Sequence, residues 1–336
     1  MKVSVIGAGS FGTALSNLFS TIHEKVTLWV YEDDVYQSIL LNRENNVFMP
    51  GLKLSENIVP TKSIEEAVKD ADVVFIVVPS HVVRIVTKQM KPFLSKGTII
   101  VSVAKGIEND TNLLMAEVVT DVLGKASEES ICVLSGPSFA KEVAEKKPTL
   151  VVAASKNICN AEFIQKHFSC PVFRIYTSDD LIGVELGGAL KNVIAIAAGM
   201  CDGMQLGYNG MAALITRGLA EMTRLGVAMG ANPLTFKGLS GLGDLVLTCT
   251  GALSRNRQVG TKLATGKKIQ EIEREMRMVA EGVKTSRSVY ELAKRYNVEM
   301  PISEQVYKII YEDKSPAEAL KELMGRELKF EREYLV

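Results

Sequence analysis

Val3-Ser4-Val5-Ile6-Gly7-Ala8-Gly9-Ser10-Phe11-Gly12 decides the fold. A short apolar run leads straight into a G-x-G-x-x-G turn, and Thr13 to Phe19 continues with helical spacing. Strand, glycine turn and helix in that order make a dinucleotide-binding unit. The helix N-terminus offers backbone N–H groups to a pyrophosphate, and Gly7, Gly9 and Gly12 serve the tight turn and the close approach of backbone to ligand. A second strand, Val26 to Val30, follows, and Glu32 stands twenty residues past Gly12, where a carboxylate meets adenosine ribose hydroxyls. The other reading of Glu32 is a solvated turn carboxylate beside Asp33 and Asp34.

The alternation of helix and strand continues outward from this unit. Helices are expected near Asp34 to Arg43, Ser63 to Lys69, Val82 to Met90, Thr111 to Leu123 and Ala161 to Phe168. Strands are expected at Asp72 to Val78, Thr98 to Val103, Ile131 to Leu134, Thr149 to Ala154 and Val172 to Tyr176. The continuous apolar run at 72–78 suits a strand covered on both faces, as in parallel sheets. Ala104-Lys105-Gly106 ends one strand, so Lys105 is either placed for an anionic ligand or an ordinary surface lysine. Ser135 to Ala140 is a Gly-Pro turn opening a helix; it cradles a phosphate or merely turns the chain.

Past Thr177 the strands stop. The reading is α/β: a Rossmann-type dinucleotide-binding domain over 1–178, then an all-helical substrate domain over 179–336, with the active site in the cleft between them. Asp179 or Asp180 caps a buried helix of about 20 residues. Lys191 in its middle leans over a turn holding Gly187 and Gly188, which leaves space for a ligand. The alternative is a close helix–helix contact with the lysine snorkelling to solvent. Gly238 to Arg257 reads as an irregular segment containing Asp244. Ser254 caps the helix after it, so Arg255 and Asn256 sit either at a phosphate seat or in a plain capping arrangement.

Thirty-nine basic residues balance thirty-nine acidic ones, which argues against a nucleic-acid footprint and leaves a small molecule as the default partner. Five scattered cysteines and three scattered histidines indicate neither a disulfide framework nor a metal site. With no signal-like start and no apolar run of membrane-spanning length, a cytoplasmic protein without membrane insertion is expected.

Val5 to Ala14, Val77 to His81, Ala104 to Gly106, Ser135 to Glu142, Ile182 to Asn192, Leu242 to Thr250, Ser254 to Asn256 and Glu281-Gly282 carry a further signal. Over essentially its whole length the sequence resembles the bacterial NAD(P)-dependent glycerol-3-phosphate dehydrogenases. The resemblance implies reversible reduction of dihydroxyacetone phosphate to sn-glycerol 3-phosphate for phospholipid synthesis, with NAD or NADP as cofactor. It implies Lys191 as proton donor and acceptor, assisted by Lys105 and Asp244, with Gly136, Ser138, Ser254, Arg255 and Asn256 also around the substrate. Implied cofactor contacts are Ser10, Phe11, Lys105, Ala140, Arg255, Val279 and Glu281. The family often carries a basic residue or histidine after the second strand; here Tyr31 and Glu32 occupy that place, which favours NAD. A homodimer stays open.

Rival readings have their own residues. Tyr290 and Lys294 have the Tyr-x-x-x-Lys spacing of short-chain dehydrogenases, and Cys249 would be the nucleophile of a four-electron dehydrogenase. A non-catalytic dinucleotide sensor would have no use for Lys191 and Arg255.

Overall fold

A computed structural model of the chain, describing residues 1–276 and 280–331, turns the apolar runs into eight strands. They are β1 (Val3–Ile6), β2 (Val26–Trp29), β3 (Ile58–Thr61), β4 (Val73–Ile76), β5 (Ile99–Ser102), β6 (Ile131–Ser135), β7 (Thr149–Ser155) and β8 (Phe173–Ser178). The sheet order is β3-β2-β1-β4-β5-β6-β7-β8. Every pairing is parallel except β6 with β7. The strands β1, β2, β4, β5 and β6 are buried along their whole length, as strands covered on both faces must be. Sequence reasoning passes over β3. Pro60 interrupts its pattern, and an edge position tolerates the missing N–H.

The described residues form two compact units, one comprising Met1–Ala104 with Met115–Leu181, the other Lys105–Leu114 with the chain from Ile182 onward. The excursion Lys105–Leu114 therefore leaves the sheet unit, in which a division at 178/179 would keep it. Its side chains explain the allegiance. Ile107 and Leu114 pair across an antiparallel bridge and are buried in the apolar core of the helical unit. Asp110 and Asn112 adopt left-handed conformations, with φ of 71° and 59°, so the helix expected from Thr111 starts only at Met115.

In the helical unit, Leu181–Gly203 runs for 23 residues. It is long and apolar enough to cross a membrane, contrary to the sequence expectation, yet its apolar stretch is 89% buried within the protein. A core helix of a helical domain needs the same composition. Gly207–Ala228, Arg255–Ala264, Glu281–Arg295 and Pro301–Tyr311 are further helices of this unit. The segment expected to be irregular is instead a π-helical turn, Leu239–Gly243, running into a helix, Asp244–Thr250.

Candidate active site

The glycine turn fits the phosphates of a dinucleotide. Gly7 takes φ 114°, and a β-carbon there would lie 2.8 Å from the Val77 carbonyl oxygen. A β-carbon on Gly12 would come within 1.9 Å of Gly7 O, so the helix Ser10–Phe19 lies directly on the turn. Gly9 differs: no atom lies within 4 Å of where its β-carbon would be. The missing side chain thus leaves a bare backbone at the helix N-terminus, where a pyrophosphate seats. Asn45 Nδ2 donates to Ala8 O at 2.7 Å and to Thr13 Oγ1 at 2.8 Å, and Ser10 Oγ donates to Phe48 O at 2.9 Å. Together these bonds fix the turn; Phe11 is half-buried beside it.

Beyond β2, Tyr31 is largely exposed and Glu32 opens the helix Asp33–Asn42. Lys62, which follows the edge strand, donates to the Tyr31 carbonyl and pairs with Asp33 at 2.6 Å. A cation therefore stands at the end of β2 after all. It escapes the sequence reading because β3, which delivers it, does.

The helical unit assembles a buried charged cluster. Lys191 Nζ lies 2.6 Å from Asp244 Oδ1 and 2.7 Å from Thr248 Oγ1, and Lys105 Nζ lies 2.7 Å from Asp244 Oδ2. One carboxylate thus bridges two ammonium groups. Lys191 is 6% exposed and Asp244 1%. Burial pulls Lys191 down to about 8; Lys105 lowers it further while Asp244 opposes the fall. Burial alone would raise the Asp244 carboxyl, but Lys105 and Lys191 outweigh it and hold it below its usual value. Asp244 stays ionised, and Lys191 changes protonation within reach of neutrality.

Glycine makes this cluster possible. A β-carbon on Gly187 would lie 2.4 Å from Ser240 O, so at Gly187 the π-helical turn packs directly on the long helix, which is the close contact that is the alternative to a ligand there. A β-carbon on Gly241 would in turn meet Phe236 O at 2.2 Å. The two glycines bring the turn against the long helix, and Asp244 and Thr248, one helical turn apart, reach Lys191 from there. Thr248 went unread, since a threonine in an apolar run carries no signal until its helix is known.

Asn192, next to Lys191, donates to Lys105 O at 3.1 Å and accepts from Asn256 Nδ2 at 2.8 Å. Asn256 Oδ1 accepts from Gly282 N at 3.0 Å. Ser254 caps the helix Arg255–Ala264 by accepting from Arg257 N at 3.2 Å. Arg255, at the first position of that helix, is exposed, with Glu281 at the first position of another helix in the same unit. Gly136, Ser138 and Ala140 belong to the sheet unit. There Gly136 takes φ 140° and Ser138 Oγ turns back to Gly136 O at 2.9 Å. Val279 lies outside the described residues.

The rival nucleophile and dyad do not survive. Cys249 is fully buried, and burial pushes its thiol up to about 12, which removes the thiolate at neutral pH. Tyr290 stacks on Tyr307 with ring centroids 3.9 Å apart, and Lys294 lies over the Tyr290 ring at 4.1 Å. The pair belongs to an aromatic stack of the helical unit.

Residues 2–161 match the family described as NAD-dependent glycerol-3-phosphate dehydrogenase N-terminus, and residues 180–321 match its C-terminus. A glycerol-3-phosphate dehydrogenase [NAD(P)+] of Geobacter metallireducens is 54% identical over 331 residues, covering 98% of this chain and 99% of the relative. Among solved structures, glycerol-3-phosphate dehydrogenase from Coxiella burnetii superimposes with a TM-score of 0.91 at 39% identity, over 97% of this chain and 99% of that one. The Plasmodium falciparum enzyme of the same name gives 0.88 at 25% identity, over 98% and 97%. The chain belongs to the NAD-dependent glycerol-3-phosphate dehydrogenase family.

Proposed function

We propose that the protein catalyses reversible NAD(P)H-dependent reduction of dihydroxyacetone phosphate to sn-glycerol 3-phosphate, with Lys191 as the proton-transfer residue. The observation that carries this reading is the Lys191–Asp244–Lys105 cluster, a buried amine tuned to about 8 beside a fixed carboxylate. The nicotinamide cofactor, when bound, supplies or accepts the hydride. A ketone gaining hydride becomes an alkoxide; Lys191 as ammonium gives it a proton, and as neutral amine takes that proton back in the reverse direction. Lys105 keeps positive charge beside the developing oxyanion. Asp244 orients both lysines without titrating.

Arg255 provides a planar fork for the substrate phosphate at a helix N-terminus, with Asn256 and Ser254 adjacent in sequence. Gly136 and Ser138 complete the substrate set in this reading. The glycine turn with Ser10 and Phe11, Tyr31, Glu32, Ala140, Arg255, Val279 and Glu281 serve the cofactor. A cytoplasmic role in phospholipid synthesis, without membrane insertion, accords with five cysteines that are all free thiols. Light scattering on the purified protein measures whether it is a homodimer.

The test is a coupled assay with dihydroxyacetone phosphate and each reduced cofactor. Turnover to glycerol 3-phosphate supports the proposal. Binding of dinucleotide with no turnover of this ketone would favour a non-catalytic sensor.

A further inference from the structure

Four hydrogen bonds form a directional chain that begins at a backbone N–H and ends at two backbone carbonyls. Gly282 N donates to Asn256 Oδ1 at 3.0 Å, so the other end of that amide, Nδ2, is the group that meets Asn192. Asn256 Nδ2 donates to Asn192 Oδ1 at 2.8 Å, which turns Asn192 Nδ2 toward Lys105 O at 3.1 Å and Gly188 O at 3.3 Å. Neither amide can flip without facing donor to donor or acceptor to acceptor. Gly282 has no room to shift: a β-carbon there would lie 2.5 Å from Asn192 O and 2.9 Å from Asn256 Oδ1. Both asparagines are buried, where an unmade amide bond costs about 1–3 kcal/mol.

The far end of the chain matters most. Lys105 starts the excursion Lys105–Leu114, which is also tied by Asn112 Nδ2 to Glu291 Oε2 at 2.9 Å, by Ser288 Oγ to Asn109 Oδ1 at 2.8 Å, and by the buried Ile107 and Leu114. Asn192 holds the main chain of the excursion at Lys105 itself. We infer that Asn192 and Asn256 are positioning residues that hold the Lys105 ammonium against Asp244. The consequence reaches Lys191 through charge. The groups facing Lys191 are Asp244 and Thr248, which stabilise its cation, Lys105, which repels it, and the Cys249 thiol. If the amide chain is cut, Lys105 loses its seat, its repulsion fades, and Asp244 is left to Lys191 alone. The amine then becomes harder to deprotonate.

This inference rests on the proposed role of Lys191, but its test needs no turnover. The full-length protein, carrying lysine labelled with ¹³C at Cε, is titrated by NMR, with the Lys191 signal identified by its loss in Lys191→Arg. Wild type should titrate near 8. Asn192→Ala should raise the midpoint by about one unit, a shift typical of a neighbouring charge displaced by a few ångströms, and Asn256→Ala should move it in the same direction. Lys105→Met should reproduce the rise, and adding Asn192→Ala to Lys105→Met should add nothing. The inference is overturned if both asparagine variants titrate like wild type, or if the rise persists undiminished when Lys105 is absent. Should Asn192→Ala fail to fold, Asn256→Ala carries the test. Failure of the proposed role of Lys191 would appear separately, as turnover retained in Lys191→Ala.

Discussion

Lys191 Nζ lies 2.6 Å from Asp244 Oδ1 inside the helical unit, where burial lowers the amine to about 8 against the pull of that carboxylate, so with Lys191 in its proposed role both directions of the reaction should depend on pH. Oxidation of glycerol 3-phosphate needs the neutral amine, so its kcat should rise with pH and level off above about 8. Reduction needs the ammonium, so its kcat should fall through the same value. Asp244→Asn removes the anion that favours the ammonium, and both inflections should move to lower pH. Lys191→Ala should lower kcat by about 10²-fold or more while cofactor affinity holds. Near-normal kcat in that variant, or inflections that ignore Asp244, would remove Lys191 from the chemistry.

Arg255→Ala should weaken dihydroxyacetone phosphate far more than unphosphorylated dihydroxyacetone. The loss of a charge-assisted bidentate contact is worth roughly 2 kcal/mol, about a thirtyfold change in kcat/KM. An equal loss for both ketones would locate the phosphate elsewhere.

Two oppositely charged residues flank the end of β2, and they make opposite predictions about cofactor choice. In the proposed site Glu32 would accept from ribose hydroxyls and repel a 2′-phosphate, so Glu32→Gln should narrow a preference for NADH, mainly by improving NADPH. Lys62 is a cation held at that strand end by the Tyr31 carbonyl and Asp33, so Lys62→Ala should widen the preference by weakening NADPH. The measurement is kcat/KM for both cofactors in the three proteins; a ratio unmoved by either substitution would mean that neither side chain meets the adenosine ribose.

Gly260→Ala should destabilise the helical unit. Its β-carbon would lie 1.9 Å from Ile196 O, where the helix Arg255–Ala264 crosses the helix of Lys191. Overfilling a close crossing costs about 1–3 kcal/mol. The urea midpoint should fall, and the KM for dihydroxyacetone phosphate should rise as Arg255 shifts with its helix. An unchanged midpoint would show that the crossing relaxes freely.

The glycine turn, the buried parallel strands and the Ser254 cap were legible because each is written in a few consecutive residues. The irregular reading of Gly238 to Arg257 failed because its glycines signal breakage locally, whereas Gly241 and Gly187 serve close backbone approach. Lys105, Lys191 and Asp244 could be named individually, but not their bridge. Lys105 and Asp244 meet across 139 residues, and Asn192 reaches Lys105 across 87. Contacts at such separations leave no periodicity to read. The edge strand β3 hid behind Pro60, and Lys62 hid with it.

The excursion Lys105–Leu114 constrains how such enzymes can be rebuilt. A chimera joining a foreign nucleotide-binding half to this helical half at residue 178 would look well designed on the linear sequence. It would nonetheless import a foreign decapeptide in place of the one that carries Lys105, and with it foreign partners for Asn192, Ser288 and Glu291. A graft meant to change cofactor preference should therefore exchange 1–104 and 115–181 while retaining the native ten residues between them.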